Sequence, residues 1–109
     1  MRFVTIVMKT MPARYVLDAY LVDALMPDLV GHDRKPSAFL VYLYLWCRRD
    51  SRTPSTLVSL QQIALDTGLS KSAVQHALRG LKRRKLIKAH RASPTAVPEY
   101  TVLKPWIRN

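Results

Sequence analysis

Between residues 71 and 83 the sequence KSAVQHALRGLKR spaces its polar and cationic side chains along one side of a helix. At about 100° per residue, Ser72, Gln75, His76, Arg79 and Arg83 share that side. Lys71 and Lys82 flank it, and Val74, Ala77, Leu78 and Leu81 lie opposite. The chemistry these residue types offer is hydrogen bonding and charge: they donate to base edges or to phosphate oxygens. Gln75 matches the bidentate edge of adenine and Arg79 that of guanine, each good pair giving about 1–3 kcal/mol of discrimination. Lys82, Arg83, Lys88 and Arg91 are suited to phosphates. The competing reading is a solvated basic face on an ordinary surface helix, and what precedes the helix decides between them.

That preceding stretch, SLQQIALDTGLS, reads as a capped helix and a tight turn. Ser59 stands at an N-cap, and Gln62 three residues on makes a capping box. Val58 and Ile63 have the spacing of a hydrophobic staple, repeated by Leu69 and Val74. Gly68 takes the left-handed conformation that ends a helix near Thr67. Ser70 caps the second helix. Two capped helices about a short turn form a helix-turn-helix arrangement, which favours nucleic acid over the solvated-face reading.

Composition points the same way. The chain has 109 residues, enough for one core, and 49% are apolar. The formal net charge of +11 favours an anionic partner, nucleic acid first and a membrane surface second. No acidic residue occurs from Thr67 to Pro98, where Lys71, Arg79, Lys82, Arg83, Arg84, Lys85, Lys88 and Arg91 all lie. The single cysteine, Cys47, excludes an intrachain disulfide and suits a reducing cytoplasm. The opening MRFVTIVMKT is interrupted at Lys9 and is followed by no small-residue cleavage site, so it is read as no signal peptide. The longest apolar run, Ala38 to Cys47, is too short to span a bilayer.

The elements that position these residues follow in order. Arg2–Met8 reads as a short strand or extended arm that is buried or pairs with another chain. Tyr15–Met26 is an amphipathic helix with Leu17, Tyr20, Leu21 and Leu25 on its apolar side. Pro27 stops or kinks it, and Asp28–Lys35 is a loop. Pro36 opens a second helix whose stretch AFLVYLYLWC has no polar stripe, so it must be covered on more than one side. Either the amino-terminal helix or a second subunit supplies the extra cover. Arg48 and Arg49 oppose the negative end of that helix. After a polar turn, Thr56–Val58 is β-prone. Leu86–Arg91 and Glu99–Leu103 alternate as the strands of a hairpin with a long tip, and Trp106 and Ile107 pin the tail to the body.

The residues TLVSLQQIALDTGLSKSAVQHALRGLKRRKLI resemble the signature of the winged helix-turn-helix superfamily as it occurs in small bacterial and phage regulators. The matching positions are Ile63–Ala64, Thr67 to Ser70, Val74, Ala77–Leu78, Leu81 and Leu86–Ile87, and the likeness extends over Ser37 to Leu103. Leu29–Trp46 also faintly resembles the helix preceding such domains in replication-associated proteins of phages and plasmids. The resemblance implies that Lys71, Ser72, Gln75, His76 and Arg79 face DNA, and that Arg91–Val97 is the wing. One position departs: Lys85 stands where the family often has Gly or Asn, and a left-handed non-glycine residue costs about 1–2 kcal/mol, so the helix is expected to run on further or to end by another route.

Other chemistry is discounted. His32, His76 and His90 have no cysteine cluster or acidic partner at a metal spacing. Cys47 reads as a buried thiol, and Asp18 and Asp23, five apart, do not share a helix face. Three glycines make no phosphate loop. Tyr42, Tyr44 and Trp46 read as core aromatics, with a ligand pocket between helices as the open alternative. The expected fold is mainly α with a small β-hairpin: an amino-terminal strand and helix extension over 1–33, for packing or dimerisation, and a winged helix-turn-helix domain over 34–109. The expected function is a sequence-specific, double-stranded DNA-binding transcriptional regulator with a recognition helix over about 71–84. It is expected to be a cytoplasmic, nucleoid-associated homodimer without enzymatic activity, cofactor, metal, small-molecule ligand or membrane partner. A replication or partition accessory and a winged-helix adaptor for an acidic protein are the alternatives.

Overall fold

A computed structural model describes residues 14–49 and 52–107. The strand expected over Arg2–Met8 lies outside the described residues. Among the described residues four helices and the strands of a three-stranded sheet follow one another. Residues 19–32 form the first helix, α1, wound largely as two π segments, Leu21–Leu25 and Pro27–His32. Then come α2 (Pro36–Arg48), β1 (Ser55–Leu57), α3 (Leu60–Thr67), α4 (Lys71–Arg83), β2 (Ile87–His90) and β3 (Glu99–Val102).

Helix α2 is the hub. It packs against α1, α3, α4 and β3, so a helix with Ala38, Phe39, Val41, Tyr42, Leu45 and Trp46 all buried has a partner for each side. The cover comes from within the chain, through Leu21, Leu25 and Leu29 of α1 in the same core. Tyr42 and Trp46 are core aromatics with satisfied polar ends: Tyr42 Oη donates to Leu103 O at 2.8 Å and Trp46 Nε1 to Val16 O at 2.8 Å. Tyr44 is only half-buried, and its hydroxyl donates to Asp66 on α3. Arg48 and Arg49 spend their charge on rings, 5.4 Å over Tyr44 and 3.9 Å over Trp46.

The first helix corrects the sequence reading at both ends. It begins at residue 19 instead of Tyr15, and it does not stop at Pro27. The expected loop shrinks to residues 33–35. Met26 keeps helical angles (φ −60°, ψ −55°) although it precedes proline. Its N–H bonds to Leu21 O and that of Asp33 to Asp28 O, both five residues back. In this wider winding Pro27 omits one bond without ending the helix. Burial of Leu21, Leu25 and Leu29, each at 3% exposure or less, outweighs the local preference.

The expected hairpin is β2–β3, and β1 adds a third strand. The order is β1-β3-β2, antiparallel throughout, with Thr56 opposite Tyr100 and Lys88 opposite Thr101. Tyr100 and Val102 point into the core and Thr101 away from it. The tail is tied down: Trp106 stacks on Tyr20 at 4.4 Å, and Lys104 pairs with Asp18 at 3.5 Å. Among the described residues no helix is long and apolar enough to cross a membrane.

Candidate nucleic-acid interface

The turn that aims α4 is built from local chemistry. Ser59 Oγ accepts from Gln62 N–H at 3.1 Å. Gln62 does not complete the capping box, because its side chain donates forward to Asp66 at 2.8 Å. Gly68 ends α3 at φ 81°, and Ser70 Oγ accepts from Ala73 N–H at 3.0 Å to start α4. The buried residues Val74, Ala77, Leu78, Gly80 and Leu81 seat the helix on the core.

At the other end, Lys85 adopts the left-handed conformation with φ 59°. Its N–H bonds to Lys82 O, and Leu86 N–H reaches Leu81 O at 2.9 Å. These two bonds make a Schellman close. The helix therefore does not run on, and a lysine bears the strain where glycine would be at ease.

With the helix held at both ends, Lys71, Ser72, Gln75, His76, Arg79, Lys82 and Arg83 are all exposed on its outer side. Among the described residues none of the four cations here has an ion-pair partner in the chain. Gln75, Arg79 and Lys82 meet Arg91 and Tyr100 along a groove of about 220 Å³ between α4 and the sheet. Arg91 also borders a second groove of about 410 Å³, shared with Lys71, Gln61 and Thr95. The tip after β2 thus lies alongside α4 and the start of α3, steadied by Arg91 Nη1 donating to Pro94 O at 3.2 Å. Burial pushes the Tyr100 hydroxyl up, so it stays protonated.

Four predicted residues stand outside those grooves. Ser72 is on the outer crest of α4, and His76 and Arg83 are toward its far edge. Lys88, opposite Thr101 on the sheet, points to the face away from Tyr100 and is not brought together with the others.

Two features escaped the sequence reading. His32 does have acidic partners: its Nδ1 lies 2.9 Å from Asp33 and 3.9 Å from Asp28. The Asp33 hydrogen bond, then the charges of Asp33 and Asp28, raise the His32 pKa; the same hydrogen bond and Arg84 lower that of Asp33. Arg84 sends one guanidinium nitrogen to Asp28 and the other to Asp33, so this basic residue bolts the end of α4 to α1. In sequence the acids are more than fifty residues from Arg84, and no local signal links them.

Residues 35–87 match the family model described as "Helix-turn-helix domain". No curated protein matches the chain in sequence. Among solved structures, one titled "Structure of Rep-DNA complex" is similar with a TM-score of 0.57 and 12% identity, over 94% of this chain and 83% of the other. Another, "N-Terminal domain of DNA binding protein", is similar with a TM-score of 0.56 and 13% identity, over 93% and 82%. At such identities the likeness is one of fold. Capped helix pair, three-stranded sheet and matching family model together give this chain a helix-turn-helix domain with the fold of a winged helix.

Proposed function

We propose that the chain binds double-stranded DNA sequence-specifically and acts on the nucleoid as a transcriptional regulator, not as an enzyme. The observation that carries this is the division of α4. One side is buried in the core, and the other carries Lys71, Arg79, Lys82 and Arg83 with no internal counter-charge among the described residues. A protein that leaves unpaired cations on a single rigid helix, next to Gln75 and Ser72, offers both affinity for phosphates and hydrogen bonds for base edges. We assign Gln75 and Arg79 to bases and Lys71, Lys82, Arg83 and Arg91 to phosphates, with Ser72 and His76 beside them. Lys88, on the sheet's other face, contributes less than Lys82.

The solved relative titled as a Rep–DNA complex supports a second reading, an accessory of replication. Selection of bound duplexes from a random pool tests both. Enrichment of a defined motif is expected. Its location at promoters supports regulation and its occurrence as iterated repeats at an origin supports replication. No enrichment over random duplex refutes sequence-specific recognition.

The homodimer is also a proposal. Val22, Met26 and Val30 are exposed along the outside of α1, four residues apart. Asp23 lies beside them, and the cations nearby are offset, Lys104 by Asp18 and Arg84 by Asp28 and Asp33, so two strongly basic copies repel least here. Sedimentation at micromolar concentration is expected to show a dimer, and a monomer removes the proposal.

A further inference from the structure

We propose that the turn between α1 and α2, through Arg34 and Lys35, is a second contact to the DNA backbone, on the side of α4 opposite Arg91, and that Arg84 positions it there. This inference rests on the DNA-binding reading. An α-helix with its side chains is about 10–12 Å across, and the major groove about 12 Å wide. A helix seated in that groove therefore meets a phosphate strand along each flank. On one flank the structure supplies Arg91, beside Gln75, Arg79 and Lys82.

The other flank is formed by the turn. A methyl group placed on Gly80 would meet Lys35 Cδ at 4.0 Å, so the lysine stem lies along α4 at that point. On the helix surface Gly80 neighbours His76 and Arg83, four residues before it and three after. Lys35 and Arg34 are both exposed, and neither has an ion-pair partner among the described residues.

The turn is also held. Arg84, one residue past α4, bridges Asp28 and Asp33, so the acid next to Arg34 is tied to the same helix end. Lys35 N–H returns to Leu29 O at 2.7 Å. The bridge has a second consequence. Two carboxylates near a polyanion would repel it, and the guanidinium offsets one of their two charges.

The test is the salt dependence of duplex binding by the full chain, read by fluorescence anisotropy on a labelled selected site and on random duplex. Arg34 has φ 56°, which glycine adopts freely, so Arg34→Gly removes the cation and keeps the turn. The double variant Arg34→Gly, Lys35→Ala is expected to flatten the log–log salt slope by about 0.9 for each phosphate no longer neutralised, about eightfold in affinity per phosphate at 0.1 M salt. The weakening should be equal on both duplexes, leaving base preference intact. Arg84→Lys keeps the charge but cannot fork between two carboxylates. It is expected to weaken binding to both duplexes with unchanged preference, although net charge is the same.

An unchanged slope in the double variant, while Lys82→Ala lowers it, overturns this proposal and leaves the DNA-binding reading standing. Undiminished binding by Arg84→Lys overturns the positioning role. Absence of duplex binding by the unmodified chain refutes both readings together.

Discussion

Replacing Lys85 by glycine should make this protein more stable. The residue closes α4 in the left-handed region, at φ 59°, where the Cβ of an L-residue crowds the following carbonyl at a cost of about 1–2 kcal/mol. Glycine removes that crowding. It also frees the unfolded chain, which takes back about 0.5–1 kcal/mol. The net expectation is a gain of about 0.5–1 kcal/mol, or about 2–4 °C in midpoint for a chain of this length. Both bonds of the Schellman close, from Lys85 to Lys82 and from Leu86 to Leu81, use the backbone alone and survive the change. Urea denaturation with linear extrapolation measures the difference, and the m-value should not move. Lys85→Ala is the control: it deletes the charge and retains the Cβ, so it should give no such gain. If the glycine variant proves no more stable than the alanine variant, the strain assigned to Lys85 is refuted.

Gly80→Ala should also stabilise, by about 0.5–1 kcal/mol, because the new methyl makes only ordinary contact with Lys35 Cδ at 4.0 Å; a lower thermal midpoint would count against that geometry. Arg79→Ala should relax base preference at one position in a selection experiment, whereas Lys82→Ala should weaken binding to every duplex and reduce the salt slope by about 0.9; equal weakening on all sequences for Arg79→Ala would remove its base-reading role. The hydrogen bond that His32 donates to Asp33, with the charges of Asp33 and Asp28, raises the His32 pKa above its ordinary 6.5. Any stability from protonated His32 is thus complete below that value and lost as pH climbs through the raised pKa. The lowered Asp33 pKa acts in the opposite sense, its contribution present above the ordinary carboxylate value and lost on acidification. An NMR titration should show His32 returning toward its ordinary value in Asp33→Asn, and no change would refute the coupling.

Much of the site was readable from the chain alone. The caps at Ser59 and Ser70, the left-handed Gly68 and the burial of Val74, Ala77, Leu78 and Leu81 all depend on residues within a few positions of one another. The exposure of Gln75 and Arg79 follows from the same helical period. At Lys85 the departure from a glycine-favouring position was legible, but the expected outcome, a helix that runs on or ends by another route, gives way to a left-handed lysine. The reach of Gln62 was not, because Asp66 and Ser59 compete for its amide and only the packed geometry chooses Asp66.

The least legible parts join distant stretches. Proline at 27 argues for a helix end on local grounds, yet Leu21, Leu25 and Leu29 carry the helix through it to reach the core. The third strand needed β1 to find β3 across more than forty residues, with Ser55 opposite Thr101. Lys88 reads as one more cation on a basic stretch, and only its register against Thr101 shows which face of the sheet it takes.

What the sequence determined by itself was the pair of capped helices and the two-sided character of the second, since capping and periodicity are written within one or two turns of chain. What only tertiary structure decided was which charges are free and which are used. Arg84 and Lys82 look alike in the sequence, and one is spent on Asp28 and Asp33 because α1 folds back against the end of α4. Ion pairing depends on distance through space, and that distance is set by the core, not by the local spacing of residues.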